Sequence, residues 1–310
     1  MVENVAKVDL PVDETLRIRK MRILCPDPEK DSGKRISIVT GVHGDELEGQ
    51  YVCYQVLERI REHPEFLTGT VDVYPGMNPL GIESITRGIP AFDLDMNRLF
   101  PGSADGQMTE YIASQIVEDL KGSDVCIDIH ASNIFLTEMP QARININTKE
   151  RLLPMAKFLN LDFLWVHASS TVLESTLAHT MNAAGVPTIV VEMGVGMRIT
   201  KEYGDQLTEG IFCLMKEMGL WGGPVIEPRE PIVSEDRKVH FLNAAVSGIF
   251  VQDTGHGAMV KEGGRVGRIV DPLTGELLEE VRSTADGLLF TVREYPVVDE
   301  GSLLGRILEL

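Results

Sequence analysis

Residues 35–60 read RISIVTGVHGDELEGQYVCYQVLERI, and this stretch decides the fold. Ile36–Val42 is a short apolar run rich in β-branched residues, which reads as a buried strand. Gly41 and Gly44 mark a tight turn at its end. From Leu47 to Ile60 the apolar Val52, Val56, Leu57 and Ile60 recur at helical spacing. A strand that runs through a glycine-flanked turn into an amphipathic helix is the building unit of an α/β protein.

Outward from this unit the pattern repeats. Val71–Tyr74, Val125–Ile129 and Thr188–Val191 are further apolar runs, and helical stretches such as Thr109–Leu120 lie between them. The alternation from about Lys34 to Leu220 predicts an α/β domain with a mixed sheet flanked by helices. Its functional residues are expected beyond the carboxyl ends of the strands. The composition changes at Trp221-Gly222-Gly223-Pro224, with Pro228 and Pro231 soon after, which reads as a linker. Two domains are therefore expected, residues 1–223 and 224–310. The second contains short strand-like segments, turns such as Asp271-Pro272-Leu273-Thr274-Gly275, and no convincing helix.

That second part is internally duplicated. Glu262-Gly263-Gly264-Arg265-Val266-Gly267-Arg268-Ile269 recurs as Glu300-Gly301-Ser302-Leu303-Leu304-Gly305-Arg306-Ile307. Each copy follows a glycine-led strand, Gly248-Ile249-Phe250 or Gly287-Leu288-Leu289. The duplication resembles the all-β barrel-sandwich modules of the lipoyl and biotinyl type. Those modules carry their prosthetic group on a lysine between the halves, and Asp271 to Asp286 contains none. A structural or interaction module is expected instead.

Composition bounds the function. The chain has 310 residues, 47 acidic against 29 basic, and a formal net charge of −18. Its length suits about two domains, and 43% hydrophobic with 25% charged residues is an ordinary globular balance. The negative charge argues against nucleic acid or an anionic membrane as partner. No apolar run reaches the length of a membrane span, and the N-terminus lacks the features of a signal peptide. Cys25, Cys53, Cys126 and Cys213 are scattered, as expected of reduced thiols in the cytoplasm. Homo-oligomerisation is left open.

The chemistry begins in the quoted turn. It presents His43 and Glu46 three residues apart, and imidazole nitrogen and carboxylate oxygen are good zinc ligands. His130 ends the run Val125-Cys126-Ile127-Asp128-Ile129, so it too sits at a strand terminus. Two histidines and one carboxylate leave a position open for water, the arrangement of hydrolytic zinc sites. Asp128, two residues earlier on the same strand face, is placed to orient a ligand. Glu192 follows five apolar strand residues, is not explained by packing, and is the candidate base. Arg87, Asn97 and Arg98 lie in the segment between the first two metal motifs. A guanidinium there can bind a substrate carboxylate or stabilise an oxyanion. Arg143 offers a second carboxylate contact.

In order, GVHGDELEG, NPLG at Asn78–Gly81, DMNRLFPG, DIHAS and VVEMG resemble the succinylglutamate desuccinylase/aspartoacylase family. The resemblance covers nearly the whole chain. It implies a zinc-carboxypeptidase-like α/β fold and one zinc per chain on His43, Glu46 and His130. It also implies Glu192 as general base and acid, Asn97 and Arg98 on the substrate carboxylate, and Arg87 as the carbonyl-polarising group. The spacing Arg-x-x-Pro before the Asn-Arg pair is wider than in aspartoacylase-like members and looks more like a bacterial branch. The expected substrate is a small N-acylated amino acid or amine. The alternatives are a zinc carboxypeptidase acting on short peptides, which a β module folded over the pocket would disfavour, and a non-catalytic metal-binding protein.

The remaining candidates are weaker. Glu48 competes with Glu46, although helical geometry turns it away from His43. His167 is a candidate for the pocket wall but is more readily packed or exposed. His63 and His179 are expected to be solvated, and His240 to be structural. His256 lies in a glycine-rich loop with some reach toward the site.

Overall fold

The computed structural model describes residues 1–90, 93–167, 174–235 and 238–310. Ala91 and Phe92, within the segment from Arg87 to Arg98, lie outside the described residues. In chain order the elements of the larger layer are β1 (Val2–Asp9), β2 (Thr15–Ile23), β3 (Arg35–Thr40), α1 (Glu48–Glu62), β4 (Thr70–Tyr74), α2 (Pro79–Ser84) and α3 (Met108–Leu120). They continue with β5 (Val125–Ser132), β6 (Leu136–Asn145), α4 (Lys149–Ala156), β7 (Phe163–His167), α5 (Leu177–Ala183), β8 (Thr188–Val195) and α6 (Lys201–Glu217).

β4, β3, β5 and β8 form a parallel centre, as expected for strands joined by helices, and β2 and β6 extend it antiparallel on either side. Alternation along each central strand divides the side chains between two cores. Ile127, Ile129, Ile189 and Val191 pack with Val52, Val56 and Ile60 of α1 and Leu207, Ile211 and Phe212 of α6. On the other face Val39 and Cys126 pack with Ile112 and Ile116 of α3 and Leu177 and Met181 of α5. Burying each such side chain stabilises the fold by roughly 1.5–3 kcal/mol. His130 and Glu192 belong to this second face, in the carboxyl-terminal halves of their strands.

The mixed α/β layer matches the expectation, but its edge was not foreseen. β1 and β2 form a hairpin that buries Val5, Ala6 and Ile18 and, beside them, charged side chains. Lys20 is 2% exposed and lies 2.7 Å from Asp119 and 3.3 Å from Asp72. Arg22 donates to both oxygens of Asp72 from Nε and Nη2, at 2.8 and 2.6 Å. An apolar-periodicity reading passes over such a strand because charged residues interrupt its few buried apolar ones.

Residues 224–231 carry no regular structure. Beyond them lie β9 (Ile232–Glu235), β10 (Val239–Asn243), β11 (Gly248–Gln252), β12 (Ala258–Val260), β13 (Arg265–Val270), β14 (Leu277–Arg282), β15 (Gly287–Arg293), β16 (Val297–Val298) and β17 (Leu303–Glu309). Among the described residues this region has no α-helix. The duplication is visible in the pairing: β11 pairs β13 as β15 pairs β17, and the halves exchange their short strands, β12 joining β15 and β16 joining β11. The order β14-β13-β11-β16 makes one separate sheet. The other half is continuous with the main sheet, because β15 pairs antiparallel with β6. Phe250, Val266, Ile269, Leu289, Leu304 and Ile307 fill the space between the two sheets.

No described helix is long and apolar enough to cross a membrane. All four cysteines are unpaired.

Candidate active site

His43 and Glu46 occupy the turn between β3 and α1, which close backbone approach makes possible. A Cβ on Gly44 would stand 2.0 Å from the carbonyl carbon of Gly81 at the start of α2. Asn78 anchors the same neighbourhood. Its side chain caps α2 through Gly81 N at 2.9 Å, its backbone N–H donates to Gly41 O at 2.7 Å, and its amide donates to Gly88 O at 3.1 Å. The NPLG segment thus holds the His43–Glu46 turn against the loop carrying Arg87 without itself reaching the site.

The three predicted ligands converge. Glu46 bridges the histidines, with Oε1 2.8 Å from His43 Nδ1 and Oε2 2.8 Å from His130 Nδ1. The two Nδ1 atoms are 3.3 Å apart. The other imidazole nitrogens are also held: His43 Nε2 lies 3.1 Å from Asp95, and His130 Nε2 lies 3.2 Å from Asp128. Two inward nitrogens facing a carboxylate, each ring steadied from behind by another carboxylate, is a donor set suited to a divalent cation. His43, Glu46 and His130 are all buried, and one donor atom from each lies within 4.8 Å of the others.

The electrostatics agree. Burial would lower the pKa of His130, but Asp128 and Glu46 outweigh it and raise the pKa well above the ordinary imidazole value. Burial likewise opposes the raised pKa of His43, against the pull of Glu46 and Asp95. Burial would raise Glu46, yet the two imidazoles hold its carboxyl far below the usual range. Carboxylates that favour positive charge on two buried imidazoles equally favour a divalent cation between them.

His43 and His130 open onto a cavity of about 630 Å³ whose wall also includes Arg87, Asn97, Arg98, Arg143 and Glu192. Glu192 lies in β8, opposite His130 of β5. Burial raises its pKa, and the nearby Arg143 opposes the shift. Arg87 lies 3.0 Å from Glu46 and 3.4 Å from Asp95, at the rim of the metal turn. Asn97 accepts from Leu177 N at 2.8 Å through its side-chain oxygen, which fixes the amide against the start of α5. Arg98 is partly exposed and donates to Asn97 O at 2.7 Å. Arg143 lies 3.1 Å from Glu192 and donates to both oxygens of Glu138 at 2.9 and 2.7 Å.

The secondary candidates separate clearly. Glu48 is buried away from the site, accepting from Thr200 N and Oγ1 at 2.7 Å each. It explains Gly194, where φ is +67° and a Cβ would fall 1.9 Å from Glu48 Oε1. His167 lines the cavity, and so does His179, which is exposed on α5 as expected of a solvated histidine. His63 is exposed, and His240 pairs with Glu309 at 2.8 Å. His256 does not reach over the site. It bonds the Tyr203 hydroxyl of α6 and so ties the β region to the helical layer. Among the described residues the cavity wall runs from His43 to Glu192 and includes none of the C-terminal β region.

Sequence reasoning missed Asp95, Glu138 and Arg306. Asp95 had a faint signal two residues before Asn97, whose N–H it accepts at 2.8 Å. Nothing local marked Glu138 or Arg306, which meet only through strand pairing.

The catalytic-domain model of succinylglutamate desuccinylase/aspartoacylase matches residues 32–218. N-alpha-acetyl-L-2,4-diaminobutyric acid deacetylase from Halomonas elongata is 26% identical over 291 residues, 91% of this chain and 84% of that protein. The product-bound ectoine utilization protein EutE (DoeB) from Ruegeria pomeroyi shares the fold at a TM-score of 0.85 and 20% identity, covering 100% of this chain and 95% of that one. A succinylglutamate desuccinylase/aspartoacylase from Rhodobacter sphaeroides does so at 0.80 and 23% identity, covering 98% and 93%. With the motif match spanning most of the α/β layer and the deacetylase relative spanning nearly the whole chain, the protein is a member of the succinylglutamate desuccinylase/aspartoacylase family of deacylases.

Proposed function

We propose that the chain is a zinc-dependent amidohydrolase that cleaves the amide bond of a small N-acyl amino acid or related N-acyl amine. The observation that carries this reading is the placement of Glu192, a half-buried carboxylate of raised pKa on the wall of the cavity that His43 and His130 share with Arg87. A protein that only stored a metal would have no use for it. The deacetylase from Halomonas elongata, named for an N-acetylated amino acid, adds support from outside the chain.

One zinc ion on His43, Glu46 and His130 would polarise the substrate carbonyl and make water a better nucleophile at neutral pH. Glu192 accepts the proton of the attacking water and returns it to the departing amine. Arg87 stabilises the developing oxyanion. Arg98 holds the substrate carboxylate with Asn97 beside it, and Arg143 supplies a second cation on the same wall. Cytoplasmic location is the reading that four unpaired cysteines support. We further divide the chain into a catalytic part, residues 1–223, and a barrel-sandwich-like part, residues 224–310, on the strength of the exchanged strands.

The test is a panel of N-acyl amino acids and short peptides run with the zinc-loaded wild type and Glu192→Gln. Wild-type turnover of the acyl amino acids, lost in a variant that still binds one zinc per chain, is the expected outcome. Full activity in Glu192→Gln overturns the mechanism.

A further inference from the structure

A row of charges runs from the cavity into the C-terminal β region. Glu192 of β8 meets Arg143 Nη1 at 3.1 Å, and Arg143 Nη2 meets both oxygens of Glu138 on the same strand at 2.9 and 2.7 Å. Glu138 is fully buried. It stands opposite Thr291 of β15, which in turn stands opposite Arg306 of β17. Thr291 Oγ1 donates to Glu138 at 3.3 Å, and Arg306 Nη1 donates to the same carboxylate. The guanidinium groups of Arg143 and Arg306 lie over the Trp165 ring, 5.9 and 5.8 Å from its centroid.

We propose that Glu138 and Arg306 are positioning residues that act through Arg143 on Glu192, so that the C-terminal β region takes part in catalysis although no described residue of it lines the cavity. The inference rests on Glu192 acting as the base. A guanidinium prefers to hold a carboxylate bidentately. Glu138 claims Nη2 with both of its oxygens, which leaves Glu192 a single contact through Oε1 and its second oxygen uncommitted. Without Glu138, Arg143 is free to clamp both oxygens of Glu192 and withdraw it from water. Arg306 keeps the arrangement in place, since a fully buried carboxylate needs compensation by opposite charge.

The internal duplication supplies the control. Arg268 holds the position in the first repeat that Arg306 holds in the second, yet it pairs with Asp253 at 3.3 Å on the surface, remote from the cavity. The same sequence unit is used twice, and only the copy that joins the main sheet reaches the charged row.

The experiment compares zinc-loaded wild type, Glu138→Gln, Arg306→Met, Arg306→Lys and Arg268→Met on the N-acyl amino acid that the wild type turns over best. Glu138→Gln and Arg306→Met should lower kcat roughly 10- to 100-fold, the effect of a displaced catalytic group, with KM within about threefold and zinc content unchanged. Arg306→Lys should recover most of the loss, and Arg268→Met should match wild type. Wild-type kcat in Glu138→Gln, or a raised KM at constant kcat, overturns the inference while leaving the proposed function standing. A readout independent of turnover is the denaturation midpoint of the metal-free protein. Glu138→Gln and Glu192→Gln should be non-additive when Arg143 is present and additive in an Arg143→Met background. Additivity in both backgrounds overturns the inference even where a wild type without turnover has already removed the proposed function, or where Arg306→Met fails to fold.

Discussion

His130 and Glu192 stand opposite one another in the parallel pair β5–β8, on the face of the sheet turned away from α1 and α6. Alternation along each strand therefore sends a metal-ligand candidate and a base candidate into the same cavity, while Ile129 and Val191 beside them enter the core. One register fixes the distance between the two functions, and a slip of one residue in either strand would turn its functional side chain into the apolar layer.

Glu192→Gln keeps the shape of the side chain and removes its ability to carry a proton. Its kcat should fall by about 10²–10⁴-fold, with metal content unchanged. Steady-state kinetics alongside elemental analysis checks both.

Asp128 lies 3.2 Å from His130 Nε2 and steadies the ring from behind. Asp128→Asn should weaken metal binding by about 10- to 100-fold. Competition with a chelator measures the loss, and excess zinc should restore most of the activity. Activity that stays low at saturating metal would give Asp128 a different role.

Arg98 presents its guanidinium on the cavity wall beside Asn97. Arg98→Lys retains the charge but not the planar fork, so KM should rise roughly tenfold with a smaller change in kcat. A fall in kcat at constant KM would move Arg98 from substrate binding to the reaction itself.

Asp72 couples the edge hairpin to the sheet. Burial would raise its pKa, but the hydrogen bond from Arg22 and the charges of Lys20 and Arg22 outweigh burial and leave it below the ordinary value. With the folded pKa depressed, the stabilisation is present above the unfolded value, about 3.9, and is lost as pH falls through the folded one. Asp72→Asn should destabilise the protein by about 3 kcal/mol at neutral pH, because it strands buried cations. The gap to wild type should narrow as the pH falls below about 4, as followed by urea unfolding across that range.

Much of the catalytic layer was legible in the chain because its signals are local. β3, β4, β5 and β8 are apolar runs buried on both faces, and α1 and α3 show helical spacing. His43 and Glu46 share one turn between glycines, and Glu192 is conspicuous as a carboxylate at the end of an apolar strand. The β1–β2 hairpin escaped because Lys20 and Arg22 make it read as exposed, although Asp72, Asp119 and Glu3 neutralise them inside.

By itself the sequence determined the α/β alternation, the order of the motifs, the duplication of the tail and the three residues, His43, Glu46 and His130, that converge as a candidate metal site. Only the tertiary structure decided that Glu48 is spent on Thr200, that His256 docks on Tyr203, and that one half of the duplicated tail joins the main sheet. It alone brought Glu138 to Arg306 across 168 residues of chain. The physical reason is range: periodicity and turn chemistry act over a few residues, whereas charge pairing and strand register join residues that have no neighbourhood in the sequence.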